Sequence, residues 1–306
     1  MTVNDVYAHI KENSENLTCE FKRLFHGRGG LYEDWKHLSI DSIDEILSVA
    51  LYFEMQKNLE DELIKMLKCF TDSSRHKTIV LQRRYIKGAP SEVIVGKLDD
   101  NLFIVENGMK IKLNLLLNKN SGYFPDMKNG RTFIRKNAKD KNVLNLFSYT
   151  CGFSLAAHFG GAKSISNIDM NKSSLTTGRT NHHLNDLDTK DVSFLPYNIL
   201  KSFSRIKKKG PYDLIIIDPP TFQKGSFEAT KDYKKIIMKL SQIASEDCTL
   251  LACLNSPDLN SDFIIELIKE LAPSFKFIKK LENVKEFASA DDERSLKNLV
   301  FQSKTL

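Results

Sequence analysis

The pattern of apolar and polar positions changes at about residue 143. From there on, short apolar, β-branched runs alternate with segments whose apolar residues recur at helical spacing. The pattern predicts seven strands, over residues 143–148, 164–169, 192–198, 212–218, 249–254, 275–281 and 296–302. Helices are predicted between them, over residues 152–159, 171–187, 233–243 and 262–271. Such alternation predicts an α/β fold with a Rossmann-like, doubly wound, seven-stranded and mostly parallel sheet.

Residues 212–218 are the clearest of these strands, because their apolar run is continuous, as in a strand buried on both faces of a parallel sheet. In doubly wound sheets, ligands bind outside the carboxyl ends of the strands, near the point where the strand order reverses. The residues that follow each predicted strand are therefore the candidates for chemistry.

The first 120 residues follow a different pattern. A helix is predicted over residues 61–70, and strands over residues 77–85, 92–98 and 109–117. These elements predict a smaller α+β module ahead of the main domain. We divide the chain into an N-terminal α+β module (1–75), a small β-rich connecting module (76–122) and a ligand-binding domain (123–306).

Composition limits the class of protein. The chain has 306 residues, of which 41% are hydrophobic and 27% charged, as in an ordinary globular protein. Its five cysteines are scattered without metal-ligand spacing, so we expect reduced thiols, no disulfide framework and no metal. The chain begins without an apolar signal region and contains no run of about 18 apolar residues, so we expect a cytoplasmic protein without a membrane span. A net charge of +6 permits a polyanionic partner but does not require one.

Three candidate ligand-binding positions follow the first three predicted strands. Gly152, in the turn after the first, would let a nucleotide-type ligand approach the backbone, although an ordinary strand–turn–helix connection has the same pattern. Asp169 follows the second, where a carboxylate can accept hydrogen bonds from ribose hydroxyls or can cap the next helix. Asn198 closes the third, either facing an adenine edge or forming a plain turn.

The strongest local signal comes directly after the buried strand, at Asp218, Pro219, Pro220 and Phe222. Two successive prolines cannot continue a sheet ladder, and they make the strand exit rigid. The acceptors of Asp218 and the Pro219 carbonyl are then fixed where they can hold the N–H groups of a base, and Phe222 offers a face for stacking. This arrangement suits methyl transfer to nitrogen, which mainly requires positioning. The alternative is a rigid loop with a core phenylalanine.

Taken together and in this spacing, residues 145–154 (NLFSYTCGFS), 167–169 (NID) and 215–222 (IIIDPPTF) resemble class I S-adenosylmethionine-dependent methyltransferases. More narrowly, they resemble the bacterial 23S rRNA methyltransferase group that contains a cytosine-C5 enzyme and a guanine-N7 enzyme. Residues 107–131 are similar to the stretch that precedes the cofactor domain in that group. The resemblance covers the chain from about residue 77 to the C-terminus.

This resemblance implies S-adenosylmethionine as cofactor, RNA (rRNA in particular) as substrate, and roles for individual residues. Asp218, Pro219, Pro220 and Phe222 would hold the target base. The cofactor would be bound by residues of four segments: Tyr123, Phe124, Asp126 and Arg131 at its methionine end, Asn145, Phe147, Thr150 and Gly152 in the first loop, Asp169 at the ribose, and Asn198 at the adenine.

One difference between this sequence and that group distinguishes two possible reactions, methylation of a cytosine C5 carbon and methylation of a nitrogen. Cytosine-C5 methylation needs a thiolate that attacks the ring. The C5 enzymes carry that cysteine just past the fifth strand, where this chain has Asn255, and Cys253 lies two residues earlier, within the predicted strand. We therefore expect a buried, inert Cys253 and a nitrogen nucleophile, with a Cys253-dependent C5 reaction as the alternative.

The N-terminal module does not match that group's usual RNA-binding appendage. It contains residues 26–30 (HGRGG) beside Lys22 and Arg23, either a flexible basic loop that contacts phosphates or an ordinary surface turn. Methylation of a protein or small molecule, and cofactor or RNA binding without catalysis, are the competing functions. The sequence does not distinguish a monomer from a homodimer.

Overall fold

The computed structural model describes residues 1–116, 120–223 and 227–303, except for the side chains of residues 222 and 223. The chain forms two compact units. The first consists of Met1–Pro125 and Val284–Asp291, and the second of Asp126–Asn283 and Asp292–Leu306. The first unit is therefore completed by a short segment that comes late in the chain.

The first unit contains two helices and seven strands among its described residues. They are α1 (Val3–Asn13), β1 (Lys22–His26), β2 (Leu38–Ile43), β3 (Ile46–Leu51), α2 (Lys57–Asp72), β4 (Thr78–Arg83), β5 (Ser91–Val95), β6 (Phe103–Glu106) and β7 (Met109–Lys112). Strands β1 to β5 form one sheet in chain order. β3 and β4 are parallel and are joined by α2, whereas the other neighbours are antiparallel.

The apolar pattern predicts α2, β4, β5 and β7 but not α1, β1–β3 or β6. Helix α1 buries only Val3, Val6 and Ile10, so its apolar stripe is too narrow to stand out among polar neighbours. The five-stranded sheet includes strands from both sides of residue 75, that is, from both modules predicted within residues 1–122. The assignment of domain boundaries stays a prediction.

The glycine-rich segment after β1 is a packed turn, so of the two interpretations left open by the sequence the structure agrees with a turn and not with a flexible basic loop. Gly27–Gly29 form a turn of 3₁₀ helix in which both glycines are buried. A Cβ atom on Gly27 would lie 1.8 Å from the carbonyl oxygen of Trp35, and one on Gly29 would lie 2.0 Å from that of Ala288. These glycines are required because neighbouring backbone approaches them closely.

The described residues of the second unit form seven helices and nine strands. They are α3 (Lys128–Asn137), β8 (Asn142–Leu146), α4 (Gly152–Phe159), β9 (Ser164–Ile168), α5 (Lys172–His183), β10 (Val192–Leu195), α6 (Phe203–Lys207), β11 (Tyr212–Ile217), β12 (Phe222–Gln223), β13 (Phe227–Glu228), α7 (Ala229–Ile237), α8 (Leu240–Ile243), β14 (Ala244–Leu254), α9 (Ser261–Leu271), β15 (Phe275–Leu281) and β16 (Lys297–Ser303).

Seven of these strands form a sheet in the order β10-β9-β8-β11-β14-β16-β15. The first five are parallel, and β16 is antiparallel to both of its neighbours. The predicted seven-stranded, mostly parallel, doubly wound sheet is confirmed. The chain runs outward from β8 to β10 and then resumes on the other side of β8 with β11, so the strand order reverses between β8 and β11.

Strand β11 shows why this sheet could be predicted. Ile215 and Ile217 pack into the apolar cluster on one face, and Leu214 and Ile216 into the cluster on the other. A strand buried on both faces has a continuous apolar run. Among the helices that the structure describes, none combines the length and the apolar character needed to cross a membrane.

Candidate functional site

The carboxyl ends of β9, β8 and β11 bring three candidate residues to one edge of the sheet. Leu146, the last residue of β8, is in register with Ile168 of β9 and with Ile217 of β11. Phe147, Asp169 and Asp218 are therefore the first residues beyond three adjacent strand ends. Because neighbouring strands lie about 4.8 Å apart, Asp169 and Asp218 are roughly 10 Å apart across the sheet.

The loop after β8 has an unusual backbone. Phe147, Tyr149 and Cys151 have φ angles of 58°, 46° and 63°, a conformation that is costly for residues other than glycine. Helix α5 stabilises this loop, since the Asn181 side chain donates to the Thr150 carbonyl oxygen at 2.9 Å. The loop therefore keeps a fixed shape where strand order reverses and where a ligand is expected.

Asp169 also holds this loop. Its Oδ2 accepts from the backbone N–H of Tyr149 at 2.9 Å, and its Oδ1 accepts from that of Asn171 at 2.8 Å. Asn171, rather than Asp169, caps α5 by accepting from the N–H groups of Ser173 and Ser174. Asp169 is not the helix cap, and each of its oxygens has a second lone pair for a ribose hydroxyl.

A chain of buried side chains leads inward from Asn145. Asn145 donates to Asn167 at 3.0 Å, Asn167 donates to Ser154 at 2.9 Å, and Ser154 lies 3.2 Å from His182 Nε2. Burial lowers the pKa of His182 to about 4, so the ring is neutral at pH 7. His182 Nδ1 donates to the Gly178 carbonyl oxygen, which leaves Nε2 to accept from the serine.

This chain ends at an atom without a partner. The Oδ1 of Asn145, 1% exposed, has no hydrogen-bond partner among the described residues, nor has the buried Oγ of Ser148. A buried polar atom without a partner is costly in a folded protein. Two buried polar atoms without partners, next to the strained loop, are consistent with a binding site for a polar ligand.

Asp218 is half-buried, and its carboxyl accepts no hydrogen bond from the described residues, although its backbone N–H donates to the Leu146 carbonyl at 3.4 Å. Desolvation raises the pKa of Asp218 to about 7, helped by the charge of Asp126 and opposed by Arg131. The carboxyl can thus change protonation near neutral pH, as a group that contacts a reacting nitrogen would.

The turn after Asp218 is fixed by its neighbours. Pro219 is buried and Pro220 exposed. The Thr221 hydroxyl donates to the Asn255 carbonyl at 2.6 Å. Phe222 begins β12, but its side chain lies outside the described residues, so its predicted stacking role stays a prediction.

Arg131 is buried, 4% exposed, on α3. Its Cδ lies 3.5 Å from the position of a Cβ on Gly152, the first residue of α4. The basic pattern of α3 predicts a solvated residue here, which is wrong because Arg131 is buried. The family resemblance places Arg131 at the methionine end of the cofactor, and that role stays a prediction. Tyr123 and Phe124 belong to the first unit, where the buried Tyr123 hydroxyl donates to Glu106.

Asn198 occupies a turn. Its Oδ1 accepts from the Lys201 N–H at 3.2 Å and caps a short 3₁₀ helix, and its Nδ2 lies 3.5 Å from the sulfur of Met170. The turn role is thereby observed, and contact with an adenine stays a prediction.

Cys253 lies inside β14 and is 1% exposed. Burial, with the charges of Asp218 and Asp126, raises the pKa of its thiol well above the ordinary range. Asn255, just past the strand, is exposed. A thiol in this environment is not a nucleophile at neutral pH.

Sequence reasoning missed several residues that shape the site. The buried Tyr233 hydroxyl lies 3.1 Å from the Cys253 carbonyl oxygen and 3.4 Å from that of Ile217, so it connects the ends of β14 and β11. The sequence predicts Ser154 and His182 only as parts of helices. Their role depends on contacts between elements, which spacing along the chain does not reveal. No group of three His, Cys, Asp or Glu residues suited to a metal occurs in the described part of the chain.

Comparison with known proteins gives a consistent result. A family model described as S-adenosylmethionine-dependent methyltransferase matches residues 22–302. The chain is 32% identical over 216 residues to ribosomal RNA large subunit methyltransferase K/L of Pseudoalteromonas translucida (66% of this chain, 30% of that protein). It is 31% identical over 224 residues to methyltransferase I of the same organism (70% of this chain, 56% of that protein). The chain thus spans less than two thirds of either relative.

Among solved structures, a protein assigned as a methyltransferase and crystallised with S-adenosylhomocysteine superposes with a TM-score of 0.88. That alignment covers 99% of this chain and 82% of the other, at 24% sequence identity. Similarity at this level supports the fold.

Proposed function

Since the chain belongs to the family of S-adenosylmethionine-dependent methyltransferases, we propose that it methylates RNA, at a ring or exocyclic nitrogen of a base in 23S rRNA. Both curated relatives carry large-subunit rRNA in their names, which supports this substrate class. We expect a protein that acts on ribosomal RNA to reside in the cytoplasm of a bacterial cell.

The residues at the strand ends fit this cofactor. Asp169 offers lone pairs to the ribose hydroxyls, and the unpartnered Asn145 Oδ1 and Ser148 Oγ offer acceptors beside the loop. Gly152 starts α4, whose first N–H groups can face a carboxylate. The other proposed contacts are Tyr123, Phe124, Asp126, Arg131, Phe147, Thr150 and Asn198.

The unpartnered carboxyl of Asp218, with its pKa raised to about 7, is the observation that carries the proposal. When bound, S-adenosylmethionine would supply a sulfonium methyl group that a nitrogen lone pair can attack directly, and the methyl–sulfur bond that breaks would leave S-adenosylhomocysteine as a neutral thioether. Asp218 and the Pro219 carbonyl accept hydrogen bonds from the base and so orient that lone pair. An exocyclic amine becomes cationic as the N–C bond forms, and the Asp218 carboxylate can take its proton.

Nitrogen is favoured over the C5 carbon of cytosine because of Cys253. Attack on the pyrimidine ring needs a thiolate within reach of the base, and this thiol is buried with a high pKa. Direct transfer to nitrogen needs no covalent intermediate.

In the test, the purified protein is incubated with methyl-labelled S-adenosylmethionine and with 23S rRNA from a strain that lacks this protein. A separate reaction contains the protein extract of that strain instead of the rRNA. RNA that becomes labelled is digested to nucleosides, and the methylated atom is identified by mass spectrometry. We expect label in one N-methylated nucleoside. Label in protein would contradict the substrate, label at C5 would contradict the nitrogen acceptor, and no transfer would contradict catalysis.

A further inference from the structure

A cavity of about 340 Å³ lies in the first unit, and none of its lining residues belongs to the site described above. It is formed by α1, by β1 with the residues that follow it, and by the segment Val284–Asp291. Its volume lies within the range of about 300–1,000 Å³ that is usual for small-molecule sites.

One wall of the cavity is aromatic. The Tyr32 ring centroid lies 5.0 Å from that of His9, with 63° between the two ring planes, and 5.1 Å from that of Phe25, on which it stacks at 27°. Phe25 is buried, whereas His9 and Tyr32 are only half-buried. Part of these two rings is therefore accessible to a planar ligand, and a nucleic-acid base can stack on such a surface.

Three cationic side chains line the same cavity, and one of them, Arg23, is paired with Asp41. Lys22 and Lys285 have no acidic partner within the described part of the chain, and Lys285 is exposed. Some other surface lysines of this unit are paired, for example Lys36 with Glu33 and Lys77 with Glu45, whereas Lys65 and Lys68 on α2 are exposed and form no ion pair with the described residues. Unpaired ammonium groups beside an aromatic wall suit an anionic ligand.

His26 adds a hydrogen-bond donor of fixed orientation. Arg23 is held by both oxygens of Asp41 and donates to His26 Nδ1 at 2.8 Å. Burial and the charges of Arg23 and Arg28 lower the pKa of His26 to about 3, so the ring is neutral. An arginine can only donate, so Nδ1 accepts and the ring proton is on Nε2. The described residues provide no acceptor for that proton.

The cavity also offers acceptors. Asn13 uses its Nδ2 to donate to the Leu24 carbonyl at 2.9 Å, which directs its Oδ1 elsewhere. Glu286 is an exposed carboxylate at the lining. An aromatic wall, two unpaired ammonium groups, a neutral N–H donor and two acceptors match a base, a phosphate and a ribose together.

We propose that this cavity binds one nucleotide of the RNA substrate, with its base on His9 and Tyr32 and its phosphate on Lys22 and Lys285. The proposal rests on RNA being the substrate. The same chemistry would accept a free mononucleotide, and the experiment separates the two sources.

The test measures binding of a short, fluorescently labelled single-stranded RNA to the full chain by anisotropy at several salt concentrations. The Lys22→Ala/Lys285→Ala variant should bind about tenfold more weakly. The slope of log K against log salt should become shallower by about 0.7 for each phosphate that the variant no longer neutralises. His9→Ala should weaken binding about tenfold with the slope unchanged, since stacking involves no counterion.

The matched control is Lys65→Ala/Lys68→Ala, which removes two exposed lysines from α2 of the same unit and should bind as the wild type does. Thermal unfolding shows that each variant is folded. Unchanged affinity and slope in the Lys22→Ala/Lys285→Ala variant would overturn the inference. So would free 5′-mononucleotides that bind in calorimetry as tightly as RNA does.

A methyl-transfer assay tests this inference and the proposed function separately. If the wild type methylates RNA and the Lys22→Ala/Lys285→Ala variant keeps the wild-type KM for RNA, the cavity inference fails and the proposed function stands. If RNA binding depends on these lysines but no RNA is methylated, the proposed function fails and the cavity inference stands.

Discussion

At pH 8, the substitution Asp218→Asn should stabilise the folded protein and yet remove most of its methyltransferase activity. The carboxyl is half-buried at the end of β11, and its pKa is raised from an ordinary value of 3.8 to about 7, first by desolvation and then by Asp126. Folding therefore favours the protonated form. The stabilisation from this proton is fully present below pH 3.8 and disappears as the pH rises through 7.

A change in pKa from 3.8 to about 7 corresponds to about 4 kcal/mol in total, of which about 3 kcal/mol falls between pH 5 and pH 8. An asparagine keeps the size of the side chain but cannot ionise. The free energy of unfolding of the wild type should therefore fall by about 3 kcal/mol more than that of D218N over this interval. At pH 8 the variant should be the more stable protein.

The methyl-transfer activity of the wild type should rise with pH, whereas its stability falls. The carboxylate is the form that accepts a proton or an N–H hydrogen bond, so wild-type activity should rise as the pH passes through 7. D218N should lose most of its activity at every pH while it still binds S-adenosylmethionine.

The assay is urea unfolding followed by circular dichroism between pH 5 and pH 8, alongside initial rates at saturating cofactor. Asp247→Asn, at an exposed position of β14, controls for the removal of one negative charge. Parallel stability curves for D218N and the wild type, or full activity in D218N, would refute the assignment of a raised pKa and a role in transfer to this carboxyl.

Three further outcomes follow from the site. Cys253→Ala should keep kcat within about threefold of the wild type, since a buried thiol of high pKa forms no covalent bond with the base; loss of activity without loss of folding would restore the C5 mechanism. Asp169→Asn should raise the Kd for the cofactor at least tenfold, measured by calorimetry, because one carboxylate oxygen becomes a donor. Gly178→Ala should destabilise the chain by about 1–3 kcal/mol in urea unfolding, since its Cβ would lie 2.4 Å from Cys151 Sγ; Thr176→Ala on the exposed face of α5 is the control.

The central strands of the second unit could be predicted from the sequence because they are buried on both faces, as β11 is, whereas β15 at the edge of the sheet is largely exposed. Strand β15 was predicted at its observed bounds, and β11 to within one residue. β14 begins at Ala244, five residues before the predicted start at 249, because its first residues are polar and partly exposed. The helix predicted over residues 233–243 is divided into α7 and α8.

Only part of the candidate site could be predicted from the sequence. Position after a strand correctly indicated that Asp169 and Asp218 lie at one edge of the sheet, because parallel topology decides this. It could not show that Asp169 accepts from Tyr149 or that Arg131 is buried, since both depend on contacts between separate elements. In the first unit, β1–β3 were missed although β2 and β3 are largely buried. The polar residues Ser39 and Ser42 of β2 are buried, so its sequence shows neither a continuous apolar run nor a regular alternation.

The segment Val284–Asp291 has a consequence for how this protein is made. Phe287 stacks beneath the Arg23 guanidinium at 4.5 Å, and the Ala290 N–H donates to the Gly29 carbonyl at 2.8 Å. A nascent chain that has left the ribosome only as far as Pro125 lacks both partners. The first unit therefore cannot complete its packing around β1 until almost the whole chain has been translated. An excised fragment of the first 125 residues would keep β1 incompletely covered.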